Sequence, residues 1–261
     1  MIILKETEWT YEHIRNNDMG DKPTETLRRV ARYYLDKGYP TSSVKKYLGS
    51  FILKCDPRAT LLKWDNCMDY AIRRAIKYPL VDIESIDITD REMDKIDTLD
   101  GKQAKRLAFT LLCLSKYWFI VSKNNDFWVN TKDSEIMRMA NISTSVKRQS
   151  LLYWTLRENG MICFSKKVDN TNVKVCFVKD GKVVLHITDF RNLGYQYLRF
   201  QGEPYFECAN CGAVSKIKNP GDVMKRKTGR NQKYCNACAS KMRVQRITAL
   251  SSTKEIVNSL V

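Results

Sequence analysis

The chain reads as mainly α with small β elements, and three observations predict this. Apolar residues recur at helical spacing through most of residues 24–158. Short strand-like runs separated by Asn, Asp and Gly turns come after residue 160. Four of the nine cysteines stand near the C-terminus as two Cys-x-x-Cys pairs, Cys208 with Cys211 and Cys235 with Cys238. The expected organisation is a helical N-terminal domain over 1–100, a second domain over 101–200, a cysteine-rich module over 201–248 and a tail over 249–261.

The first helix spans 24–37, with Leu27, Val30, Ala31, Tyr34 and Leu35 on one face, Thr24 as N-cap and Gly38 at its C-terminal end. After Tyr39-Pro40, Thr41 or Ser42 caps a second helix to about Leu53, with Val44, Tyr47, Leu48 and Phe51 inward. A third fits 61–77. The first two form a helix-turn-helix pair, read as a packing or protein-contact unit because residues 1–100 carry no positive excess. Residues 79–88 read as an acid-rich connection, and Thr89 with Glu92 as a capping box opening a helix over 90–98.

A long apolar helix follows over 102–122, with Leu107, Leu111, Leu114, Trp118 and Val121 inward. A short helix ends at Met139-Ala140, Asn141-Ile142-Ser143 is a turn, and a third helix runs from Thr144 to Glu158 with Val146, Leu152, Tyr153 and Leu156 inward. Strand-like runs occupy 161–168, 172–178 and 182–187. This order is that of a winged helix-turn-helix, so the predicted fold is a helical domain, a central winged helix-turn-helix and a C-terminal module. Such a unit presents its last helix to a major groove and its hairpin to neighbouring phosphates. Thr144, Ser145, Lys147, Arg148 and Gln149 are the candidate groove contacts, and Lys166, Lys167 and Lys174 the wing contacts. A winged helix that docks a protein is the competing expectation. Residues 188–204, in which Tyr195, Tyr197 and Phe200 interleave with Arg191 and Arg199, read as a sealing linker.

The cysteine pairs predict a four-cysteine zinc ribbon holding one structural Zn²⁺. A two-residue spacing lets one tight turn aim both sulfurs at a point, and four soft thiolates suit a closed tetrahedral site. Each pair is expected on a hairpin. Iron–sulfur ligation and a redox Cys-x-x-Cys are the alternatives, disfavoured by the paired knuckles, the long polar spacer and the lack of a thioredoxin-like setting. The other cysteines, Cys55, Cys67, Cys113, Cys163 and Cys176, are expected in the core. Lys225, Arg226, Lys227, Arg230, Lys241 and Arg243 surround the module with positive charge.

The net charge of +16 is unevenly divided: −1 over 1–100, +10 over 101–200 and +7 over 201–261. Such asymmetry points to a polyanion, nucleic acid being the commonest. No run of eighteen apolar residues exists, and the short apolar start is no signal peptide, so a cytoplasmic, non-membrane protein is expected. No phosphate-binding loop, His-Glu-x-x-His or Gly-x-Ser-x-Gly occurs, and the acidic pairs Asp87/Asp90 and Asp94/Asp97 alternate with basic residues, so an enzyme is not expected.

The Cys208-x-x-Cys211-Gly212 knuckle, followed by Tyr234-Cys235-x-x-Cys238-Ala239 and a basic tail, resembles the zinc ribbons of small DNA-associated proteins. RLAFTLLCLSKYWF, NNDFWVN, SKKVDNTNVKV and ITDFRNLGYQY look like the body of a group of phage and prophage proteins of low-GC Gram-positive bacteria. The resemblance covers roughly residues 22–245. It implies a winged helix plus a zinc ribbon, a bacterial host cell and no catalytic residues; only the four cysteines carry over. The expected partner is double-stranded DNA, in transcription regulation or replication initiation. The alternatives are RNA, or an effector that binds a host protein or nucleoprotein through the N-terminal domain.

Overall fold

The structure, a computed structural model, describes residues 2–122, 126–165, 172–217 and 232–245. The chain divides into two compact units, Met1–Ser85 and Ile86–Val261. Among the described residues no helix is long and apolar enough to cross a membrane.

The first unit is built of α1 (Glu6–Arg15), α2 (Pro23–Asp36), α3 (Thr41–Cys55) and α4 (Leu61–Lys77). Its core joins Leu27, Val30 and Ala31 of α2 to Val44, Leu48, Phe51 and Ile52 of α3 and to Met68, Ala71, Ile72 and Ala75 of α4. The 3.6-residue periodicity of these positions is what makes one burying face per helix. The α2–α3 turn uses Gly38 at φ +83° and is sealed by Tyr34, Tyr39 and Tyr47, whose ring centroids lie 4.6–5.9 Å apart. Thr24 is not the N-cap: Lys22 holds that position and Pro23 opens the helix, because proline's missing N–H costs nothing in a first turn. The buried Glu6 of α1 accepts two bonds from Arg32 Nη1, at 2.8 and 2.9 Å, and lies 3.4 Å from Arg29 Nε.

The second unit contains β1 (Ile86–Thr89), α5 (Asp90–Asp97), α6 (Lys102–Val121), β2 (Trp128–Val129), α7 (Asp133–Met139), α8 (Val146–Glu158), β3 (Ile162–Phe164), β4 (Val173–Val175), β5 (Val183–Ile187), α9 (Leu193–Phe200), β6 (Tyr205–Glu207) and β7 (Val214–Lys216). A further helix, α10, covers 236–245. Every residue from Leu107 to Ser115 is buried, so α6 is enclosed on all sides and is the axis of the unit. Its two interior hydroxyls bond backward along the helix, Thr110 to the Arg106 carbonyl and Ser115 to the Leu112 carbonyl, both at 2.8 Å.

The unit boundary falls at 85/86, earlier than the expected 100. The expected connection over 79–88 contains β1, which pairs antiparallel with β5, Ile86 opposite Ile187 and Ile88 opposite Leu185. The third strand-like run therefore leaves the hairpin before it and joins an earlier strand. Ile86, Ile88 and Ile187 are all buried, and that gain decides the pairing. The Thr89–Glu92 capping box forms as expected. Glu92 is fully buried and accepts bonds from Thr89 N at 2.9 Å, Lys179 N at 3.1 Å and Lys116 Nζ at 2.7 Å. It thereby ties α5, α6 and the approach to β5 together.

A three-stranded sheet runs β2–β4–β3, all antiparallel, with β4 central. The expected linker 188–204 holds α9, whose Leu193, Gly194, Tyr197 and Leu198 are buried. Tyr197 meets Phe109 of α6 at 5.5 Å between centroids and donates to Asp97 at 2.8 Å. Gly194 is required: a Cβ there would stand 2.0 Å from the Ala140 carbonyl oxygen. The cysteine-bearing segment belongs to this same unit. Asn192 explains the attachment, accepting from Asn141 Nδ2 and donating to the Val214 carbonyl, both at 3.0 Å. The expected tail 249–261 lies outside the described residues.

Candidate functional site

The β6–β7 hairpin places the first cysteine pair. Glu207 faces Val214, and the six residues between them form the knuckle. Gly212 N donates to the Cys208 carbonyl at 2.8 Å and Cys208 N to the Ala213 carbonyl at 3.1 Å. Gly212 sits at φ +71°, which glycine adopts without strain. The second pair is not on a hairpin. Cys235 precedes α10 and Cys238 lies in its first turn, where Ala239 N donates to the Cys235 carbonyl at 2.9 Å. The run Ala-Ser-Lys-Met-Arg after Cys238 is free of Gly and Pro and continues as helix. A bond of 2.9 Å from Ala209 N to the Lys233 carbonyl joins the two halves.

The four sulfurs lie within 4.8 Å of one another, and Cys211 Sγ is 3.8 Å from Cys235 Sγ. Tetrahedral zinc with Zn–S bonds of about 2.3 Å sets its sulfurs roughly 3.8 Å apart. Cys208 and Cys238 are buried, while Cys211 and Cys235 are partly exposed. N–H groups already point at sulfur: Cys235 N to Cys208 Sγ at 3.3 Å, Cys238 N to Cys235 Sγ at 3.5 Å and Asn210 Nδ2 to Cys238 Sγ at 3.3 Å. Burial opposes ionisation of Cys208, but donation from the N–H groups of Cys235, Asn210 and Cys211 overrides it and draws the thiol down to about 6. Burial, with the neighbouring thiols, pushes Cys211 up to about 12. One thiolate is favoured by the protein alone; four require a cation at their centre. The cluster can hold a metal ion and is compatible with one structural zinc.

The residues expected to contact nucleic acid are distributed unevenly. Ser145 is the N-cap of α8, its hydroxyl accepting from Arg148 N at 3.4 Å. Thr144 precedes the helix, and its carbonyl accepts from Gln149 Nε2 at 3.0 Å, so the Gln149 amide is engaged at the helix start. Lys147 and Arg148 are exposed and make no ion pair among the described residues. Lys174 lies on the central strand β4 and is paired with Asp126. Lys241 and Arg243 lie exposed on α10. Lys166, Lys167, Lys225, Arg226, Lys227 and Arg230 lie outside the described residues.

No family model, curated protein or solved structure matches the chain. The functional reading stands on the geometry of the molecule.

Several features differ from expectation. Val146, expected inward, is 77% exposed: with Ser145 as the cap, α8 begins at Val146 and not at Thr144, and this side chain stands at the open first turn. Cys163 and Cys176 are exposed, with sulfurs 3.3 Å apart across the β3–β4 pair. His186 on β5 is exposed and bonds Asp87 at 2.7 Å. Trp154, Arg157 and Phe164 escaped the sequence reading. The signal was present, since a helix that buries Leu152, Tyr153 and Leu156 must turn Trp154 to the opposite side.

Proposed function

We propose that this is a zinc-containing nucleic-acid-binding protein that acts on DNA in transcription regulation or replication initiation. The supporting observation is the path α6, β2, α7, turn, α8, β3, β4 with sheet order β2–β4–β3, which leaves α8 outward with Lys147 and Arg148 unpaired among the described residues. That arrangement fits a winged helix-turn-helix, in which the N-terminal half of the last helix meets the nucleic acid. The zinc closes a four-thiolate site with no open position, so it serves structure, and the protein is a binder and not an enzyme. Its module projects α10, with Lys241 and Arg243, as a second basic surface. A phage or mobile-element setting comes from the resemblance of the sequence alone. A salt titration of duplex binding tests the reading: log K falls with log salt by about 0.9 per phosphate contact, and absence of binding at low salt defeats it.

A groove in the first unit favours a second reading, an effector that docks a host protein. It is a shallow, open groove of about 770 Å³ between α3 and α4, lined by Gly49, Leu53, Leu61, Leu62 and Met68, of which Leu62 is 84% exposed. Capture of a host partner by the wild type and its loss on Leu62→Glu support this reading; equal capture by both removes it.

A further inference from the structure

We propose that the outward face of α8 and the adjoining end of β3 take unpaired nucleotides, with Trp154 as the stacking platform and Lys147 and Arg157 as phosphate contacts. This rests on the nucleic-acid reading above and specifies the form of the ligand.

Three apolar side chains stand outward on α8: Val146 at 77%, Leu151 at 47% and Trp154 at 55% exposure. Isolated exposed apolar residues are ordinary, but here they share a face with cations. Lys147 lies two turns before Trp154, and Arg157 three residues after it, spacings that put all three on one side of a helix. The Arg157 guanidinium lies 5.9 Å from the ring centroid of Phe164, itself exposed on β3. Aromatic, cation and aromatic thus follow one another from helix to sheet. Lys147 and Arg157 make no ion pair among the described residues, so their charge is available to a ligand; Glu158 is the acid nearest in sequence.

Charge complementarity selects a polyanion, and the aromatic surface selects among polyanions. A paired duplex offers base edges in its groove and hides its base faces in the stack, leaving an indole at mid-helix nothing flat to meet. An unpaired base presents its π-face, and aromatics flanked by arginine and lysine are the usual receptor for it. A protein partner would have to supply acids against two cations as well as an apolar patch.

The test uses the full-length protein with two fluorescein-labelled probes, an oligo-dT of roughly 20 nucleotides and a mixed-sequence duplex of the same length. Trp154→Ala is expected to weaken oligo-dT binding on the order of tenfold while changing duplex binding far less. Trp154→Phe should retain most of the affinity and lose part of the tryptophan quenching seen when the wild type binds oligo-dT. An unchanged thermal midpoint for both variants shows that the fold is intact. Equal loss on both probes overturns the proposal, because Trp154 then supports the helix and does not stack. Unchanged binding to both also overturns it. A wild type that binds duplex but not oligo-dT defeats this inference and leaves the nucleic-acid reading standing; one that binds neither defeats both.

Discussion

The surroundings of α6 and the cysteine module are held together by different physics. Around α6, nine consecutive residues from Leu107 to Ser115 are buried, and helices α5, α7, α8 and α9 close over them. In the described part of the module, Cys208, Ala213, Val214 and Cys238 are the buried side chains, and two of these belong to the cysteine cluster itself. Apolar area removed from water accounts for the first region. The described part of the second has little of it, and its two halves meet at the cysteine cluster and the Ala209–Lys233 bond.

The largest expected effect breaks this contrast directly. For the zinc site proposed above, a strong chelator or Cys208→Ser should abolish a stabilisation on the order of 10 kcal/mol that is confined to the module. Elemental analysis should fall from one zinc per chain to none, while hydrogen exchange in α6 stays slow. Loss of protection in α6 as well would show that the two regions fold as one. Next, Leu111→Ala should lower stability by about 2–5 kcal/mol in a urea titration and leave zinc content unchanged; Leu111 is fully buried.

A smaller effect concerns how α8 is seated. The Tyr153 phenol is raised, by burial first and then by Asp133, to which it donates at 3.2 Å. A raised folded value favours the protonated form, so this contribution is whole below about pH 10, the ordinary tyrosine value, and is lost as pH rises beyond it. Tyr153→Phe should cost about 1 kcal/mol at neutral pH and flatten the alkaline decline of stability; an unchanged alkaline profile would place the cause elsewhere. The smallest change belongs to Lys174→Ala, which removes a partly exposed pair with Asp126. It should leave the urea midpoint nearly unchanged, and a clear shift would make the pair a structural tie.

Legibility followed the range of the interaction. The helices over 61–77 and 102–121 and the Thr89–Glu92 cap were readable because their signals lie within one or two turns of chain. The β1–β5 pairing was not: it joins residues about a hundred positions apart, and Asp87 reads as a solvated acid until His186 is brought opposite it. The α9 helix was hidden for a related reason. Its alternation of Tyr and Arg looks like a linker until Phe109 and Asp97 receive Tyr197. Lys174 reads as free charge in the sequence and is neutralised in the fold by Asp126, forty-eight residues earlier.

By itself the sequence determined that the chain is mainly helical with small sheets, where most helices begin and end, and that four cysteines at two-residue spacings can turn their sulfurs to a common point. These follow from periodicity and covalent spacing, which are local. Only the tertiary structure decided which lysines keep their charge, which strand β5 joins, that α9 and not a loop carries the cysteine module on α6, and that Trp154 faces outward beside Arg157. Each of those depends on which distant surface wins the competition for burial or for an opposite charge, and that competition is resolved only when the whole unit packs.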